Sequence, residues 1–235
     1  MLKCNLKLYV LCFSICLTAM AMPSTTIKSL QGEVQYRRGL EEEWHSASAG
    51  LELENIDTIL TGEGQVVLML NDGSTFTLGA NSILDIADIR RITKRDMFLF
   101  VMSQKVQNME PRQQPSELRA ENISSVHGER RREDESVATA ATEPQWTRQL
   151  NAVKAMYDQE LFPNSVVKLH KILNRYSTLN DCGEVNLYLG KSFEELEEFG
   201  QAIDHYQLAL EQAESCENAG NIVEQSRNAV RRLSR

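Results

Sequence analysis

The chain has 235 residues, of which 25 are basic and 33 acidic, for a net charge of −8. That balance argues against non-specific nucleic-acid binding, which needs a basic footprint, and it disfavours docking on anionic lipid. The length suits one large domain or two small ones.

Lys3 and Lys7 open the chain, residues 8–20 are apolar apart from Cys12, Ser14, Cys16 and Thr18, and Ala19-Met20-Ala21 follows. Charge, short apolar core and small-residue site in that order predict a cleaved signal peptide over 1–21 and a periplasmic chain that starts at Met22. An uncleaved N-terminal anchor is the alternative, and the short run speaks against it. No second apolar stretch approaches membrane-spanning length, so no transmembrane segment is expected in the mature chain. Cleavage removes Cys4, Cys12 and Cys16 and leaves Cys182 and Cys216. In an exported protein such a pair is more often a disulfide than two thiols.

From Ile27 to about Ile89 the pattern is β, with short strands punctuated by turn residues such as Gly32, Arg38-Gly39, Ala49-Gly50 and Gly79-Ala80-Asn81. The clearest unit is a hairpin. Val66, Leu68 and Leu70 share one strand face, Asn71-Asp72-Gly73-Ser74 turns the chain, and Phe76 and Leu78 share a face of the next strand. The Asp-Gly pair is expected to supply the positive φ angles of a tight turn. Many short strands at close spacing predict a sandwich or rolled sheet.

Residues 90–128 are assigned to the second half of this β-domain, which then spans 22–128. Within it, the apolar run at 97–102 fits a buried strand or the start of a short helix, and run length does not decide between them. The segment Ile123-Ser124-Ser125-Val126-His127-Gly128 reads as a last strand. Residues 129–145 mix charge with small residues and hold Pro144, with too little apolar content for a core, so they read as a linker.

From Trp146 the period becomes helical, and 146–235 is read as an all-α domain. Leu150, Val153, Tyr157 and Leu161 mark one helix, ended by Pro163, and Val166, Leu169, Ile172 and Leu173 mark a second. Leu187, Leu189, Phe193 and Leu196 mark a third, and Ile203, Tyr206, Leu208 and Leu210 a fourth; a fifth runs from about Gly220 to Leu233. Short connections predict antiparallel hairpins. Cys182 and Cys216 fall at the two chain ends of one hairpin, where a disulfide would close it.

The residues 183–216 resemble a tetratricopeptide repeat through Leu189-Gly190, Phe193, Ala202, Tyr206 and Ala209-Leu210. Gly190 and Ala202 let two helix backbones approach, while Phe193 and Tyr206 fill the space between hairpins. A weaker preceding unit matches at Trp146, Met156, Phe162, Leu169 and Leu173, with Ser165 in place of the small Ala. Two hairpins and a closing helix are near the minimum for a stable stack, so the array leans on the β-domain or on a second copy of itself. The resemblance implies that the first helix of each hairpin lines a partner-binding face. On this chain that face holds Thr147, Leu150, Lys154, Tyr157 and Asp158, then Glu184, Leu187, Lys191, Glu194 and Glu195, with Asn221 and Gln225 from the closing helix.

The β half resembles the FecR-type domain of bacterial envelopes. The matching residues are Gly32-x-Val34, Trp44, Gly50, Asp57-Thr58-Ile59-x-Thr61-Gly62, the hairpin through Asp72-Gly73-Ser74, Leu78 and Ile83-x-x-Ile86. The match covers 27–89 well and 90–128 loosely, and it implies an all-β periplasmic module. Regulators of that family also carry a sigma-factor-controlling segment and a membrane helix, which this chain lacks, so their mechanism is not carried over.

No catalytic constellation is found: there is no nucleophile elbow, phosphate loop or HExxH, and Gly62-Glu63-Gly64 reads as a turn. His45, His127, His170 and His205 lie far apart in the sequence with no ligand spacing, so no metal or cofactor is expected. The acidic clusters at Glu41-Glu42-Glu43 and around Glu194-Glu195 read as solvated faces. The leading expectation is a non-catalytic adaptor of the cell envelope that holds a protein or peptide partner. A glycan or peptidoglycan binder using Tyr36 and Trp44 is the second, and a hydrolase with an unrecognised site the third.

Overall fold

The computed structural model describes residues 25–107, 144–176 and 179–235. The expected signal peptide, the strand at 123–128 and all but the last two residues of the 129–145 linker lie outside these. The architecture is two-part, β then α, as the sequence predicts. Eight strands come first: β1 (Thr25–Gln31), β2 (Val34–Arg37), β3 (His45–Ser46), β4 (Glu52–Leu53), β5 (Thr58–Thr61), β6 (Gln65–Met69), β7 (Thr75–Leu78) and β8 (Ile83–Asp85). They form two antiparallel sheets of four, ordered β4-β1-β6-β7 and β3-β2-β5-β8.

Alternation sets the packing of these strands. Val66, Leu68, Phe76 and Leu78 of the β6–β7 hairpin point inward, and Ile59 and Leu84 of the other sheet join them in one core. In the turn only Gly73 takes a positive φ, +80°, so the two-residue turn expected of Asp-Gly is not formed. Asp72 instead accepts the Ser74 N–H at 2.9 Å and holds the loop from its side chain.

A 3-10 turn, Ile86–Ile89, leads out of the sheets, and the next element departs from the sequence reading. Residues 94–107 form a helix, α1 (Lys94–Gln107), and do not continue the β-domain. Its start carries a reciprocal cap: Thr93 Oγ1 accepts the Asp96 N–H at 3.1 Å, and Asp96 accepts the Thr93 N–H at 3.2 Å. Met97 is buried in the core of the helical half, while Leu99, Met102 and Val106 are exposed.

Five more helices follow: α2 (Gln145–Asp158), α3 (Phe162–Arg175), α4 (Glu184–Glu195), α5 (Phe199–Ala213) and α6 (Gly220–Leu233). Pro163 lies in the first turn of α3, where its missing N–H costs nothing, so it begins that helix and does not end the one before. Among the described residues no helix is long and apolar enough to cross a membrane.

The two halves are not independent. Helix α2 is buried on two sides: Leu150 and Val153 enter the helical core, while Ala152 and Met156 enter the core of the sheets together with Leu161. Beside this apolar contact lies a polar one. Lys168 Nζ donates to Asp88 at 2.5 Å and to Asp85 at 3.0 Å, and Lys171 reaches Asp88 at 2.7 Å. Asn164 Nδ2 donates to the backbone carbonyls of Asp88 and Arg90.

Candidate binding surface

Helical periodicity puts Asn151, Lys154 and Asp158 in one row on α2, and Glu184, Tyr188, Lys191 and Glu195 in one row on α4. The rows meet. Lys154 Nζ lies 2.7 Å from Glu184 Oε1, and the Tyr188 ring is flanked by Lys154 and Lys191, whose Nζ atoms are 5.9 and 4.9 Å from its centroid. Tyr157 meets Tyr188 edge-on at 5.8 Å and Phe162 at 5.3 Å, and its hydroxyl donates to Glu195 at 3.4 Å.

These contacts shift the groups that make them. Burial pushes the Tyr157 hydroxyl up to about 12, with the Glu195 carboxylate adding to the effect. Burial also raises Tyr188, with Glu184 and Asp158 behind it. Lys191 is pushed down by burial, partly offset by Asp158 and Glu184, and it makes no ion pair among the described residues. A half-buried ammonium over an aromatic face, near Asp158 and Glu184 but bonded to neither, can donate to an incoming acceptor.

The surface continues toward the sheets. Lys154 and Asp158 also line a cleft of about 600 Å³ between α2 and the chain at 77–82, with Ala155 and Gln159 on its helical wall. Asn151 and Asn81 also line it, and Asn151 donates to the Asn81 carbonyl at 2.9 Å. One strip therefore runs from the edge of β7, over Lys154 and Asp158, to Tyr188 and Lys191.

Of the residues expected on this face, Lys154, Tyr157, Asp158, Glu184, Lys191 and Glu195 come together. Leu150 and Leu187 do not: both are buried in the helical core, because each falls on the side of its helix that packs. Glu194 turns to the neighbouring elements, accepting the Tyr206 hydroxyl at 2.8 Å and pairing with Arg232. Asn221 and Gln225 bond to each other at 2.8 Å in the first half of α6, Asn221 exposed and Gln225 half-buried, whereas α6 meets Glu194 through Arg232 in its last turn. Sequence reasoning missed Tyr188, hidden between Leu187 and Leu189, and Gln159, just past the end of α2.

The cysteines pair. Cys182 and Cys216 form a disulfide with Cα atoms 5.8 Å apart, closing the α4–α5 hairpin. Inside that hairpin a Cβ on Gly190 would lie 2.7 Å from the Tyr206 ring, so close approach at this position requires glycine. His170 and His205, distant in sequence, lie 6.0 Å apart between ring centroids, and His205 stacks on Phe193. On the sheets, the Arg37 and Arg38 guanidinium groups cover the rings of Trp44 and Tyr36 at 5.1 and 5.2 Å. A sugar stacking there would have to displace them.

Comparison with family models, with curated proteins and with solved structures finds no match for this chain.

Proposed function

We propose that this protein is an exported, non-catalytic adaptor of the bacterial cell envelope that holds an extended peptide or protein segment. The observation that carries the proposal is the strip formed by Lys154, Asp158, Tyr188 and Lys191, which joins the first helices of two hairpins to the cleft beside β7. Its mixture of ammonium, carboxylate and tyrosine suits polar contact with a polypeptide better than capture of an apolar ligand. The resemblances to tetratricopeptide repeats and to FecR-type domains support the same reading, as both are modules that bind. Export is supported by the pattern of residues 1–21 and by the disulfide. The β half then serves as the attachment to a second envelope component.

Charge reversal at Lys154 and Lys191 together tests this. Partner crosslinking in the envelope should fall about tenfold, a loss of the order of two weakened polar contacts. Circular dichroism and the melting temperature should barely move, because the Lys154–Glu184 pair is half-exposed. Undiminished partner capture would overturn the proposal.

A further inference from the structure

Gln159, at the end of α2, makes a contact with β7 that imitates a neighbouring strand. Its Oε1 accepts the Thr77 N–H at 2.7 Å, and its Nε2 donates to the Thr77 carbonyl at 2.8 Å. One side-chain amide thus gives Thr77 the acceptor and donor that the main chain of an added strand would give. β7 is the outer strand of its sheet and pairs only with β6 among the described residues. By the strand period of two, Thr75 turns its N–H and carbonyl outward as Thr77 does. Beside this edge lies the 600 Å³ cleft, whose wall on the strand side is made of the small residues Gly79, Ala80 and Ser82. Gln159 follows the last residue of α2, and its Nε2 also donates to the Ala155 carbonyl at 2.8 Å, so an incoming strand displaces that bond and shifts the end of α2.

We propose that an extended polypeptide segment adds to the edge of β7 as a further strand, with Gln159 as the placeholder it displaces. This rests on the peptide-binding reading above and specifies its ligand. The ligand is an extended stretch recognised first through its backbone, with small uncharged side chains inside the cleft. Charge argues for the uncharged stretch: Lys154 is already matched by Glu184, and Asp158 lies near Lys191, so the mouth of the cleft is close to neutral. Main-chain pairing supplies affinity, and alternate side chains supply selectivity.

The experiment uses the full chain and a fluorescein-labelled pool of randomised decapeptides. A second pool carries a methyl group on every other backbone nitrogen. The plain pool should bind, and the methylated pool should lose at least about tenfold, since each methyl removes one pairing donor. Gln159→Ala and Gln159→Ser both free the edge, since neither side chain reaches the Thr77 N–H and carbonyl. Each should raise affinity about fivefold, and either suffices if the other fails to fold. Amide exchange at Thr75 should slow on binding. If neither pool binds, the proposal and the peptide-binding reading both fall. If binding drops on charge reversal at Lys154 and Lys191 but ignores both methylation and Gln159, strand addition alone is overturned.

Discussion

Lys168 of α3 donates to Asp88 of the 3-10 turn at 2.5 Å, and both side chains are only 4 % exposed. Burial alone would push the Lys168 ammonium down, but Asp88 and Asp85 together hold it above its ordinary value. Asp85 is held low: burial opposes this, and the Lys168 charge with hydrogen bonds from Lys168 and Thr58 overcomes it. Removing Lys168 leaves the buried Asp88 with Lys171 as its remaining cation, so Lys168→Met should cost about 2 kcal/mol in urea unfolding. Adding Asp88→Leu should recover much of that loss. A strictly additive double variant would show that the two groups are not coupled.

The signs of these shifts define the pH range over which the lock contributes. A lowered Asp85 stabilises above its unfolded value of 3.8, and the benefit disappears as pH falls through its folded value. A raised Lys168 stabilises below 10.5 and is lost as pH rises through its folded value.

His205 gives the stability profile a separate acid limb. Burial lowers its pKa to about 4, helped by the neighbouring His170, which burial also lowers. The folded chain keeps His205 neutral while the unfolded chain takes a proton near 6.5, so stability should fall between about pH 6.5 and pH 4. The loss should reach about 3 kcal/mol. His205→Gln should flatten this limb while retaining a polar partner for Asn186. Melting temperatures across that range measure it, and an unchanged slope in the variant would refute the assignment.

The disulfide constrains a 34-residue separation. Chain entropy assigns such a closure about 3–4 kcal/mol. Cys182→Ala with Cys216→Ala should lower stability by that order, and mild reductant should do the same to the unaltered chain. Equal melting of oxidised and reduced protein would show that the hairpin needs no closure.

Residues 129–145 remain the expected site of first proteolytic attack, on composition. Cleavage between 108 and 143 should nevertheless not release separate halves, since Met156 and Leu161 belong to the core of the sheets and Met97 to that of the helices. The two pieces should co-elute on size exclusion until denaturant is added. Early separation into a free β fragment would contradict the packing.

Periodicity alone located the hairpin of β6 and β7 and the helices α2 to α6, because apolar residues recur in each at the period of its element. Helix α1 was not legible from its apolar run, since 97–102 is apolar at every position and fits either period. The signal lay one turn earlier, in Thr93-Lys94-Arg95-Asp96, whose first and last residues cap each other. The strip of Lys154, Tyr157, Asp158, Glu184 and Lys191 was legible as helical rows. Its aromatic centre, Tyr188, was masked by flanking leucines. The pairing of Lys168 with Asp88 joins residues 80 apart, and local pattern carries no trace of it.

The burial of Met97 in the helical core has a consequence in time. A ribosome delivers the strands and α1 first, and Leu169, which shares that core, emerges about seventy residues later, several seconds at roughly 5–20 residues per second. During that interval the apolar side of residues 94–107 has no helical core to rest on. Maturation of this protein should therefore depend on whatever shields that side until the C-terminal helices arrive.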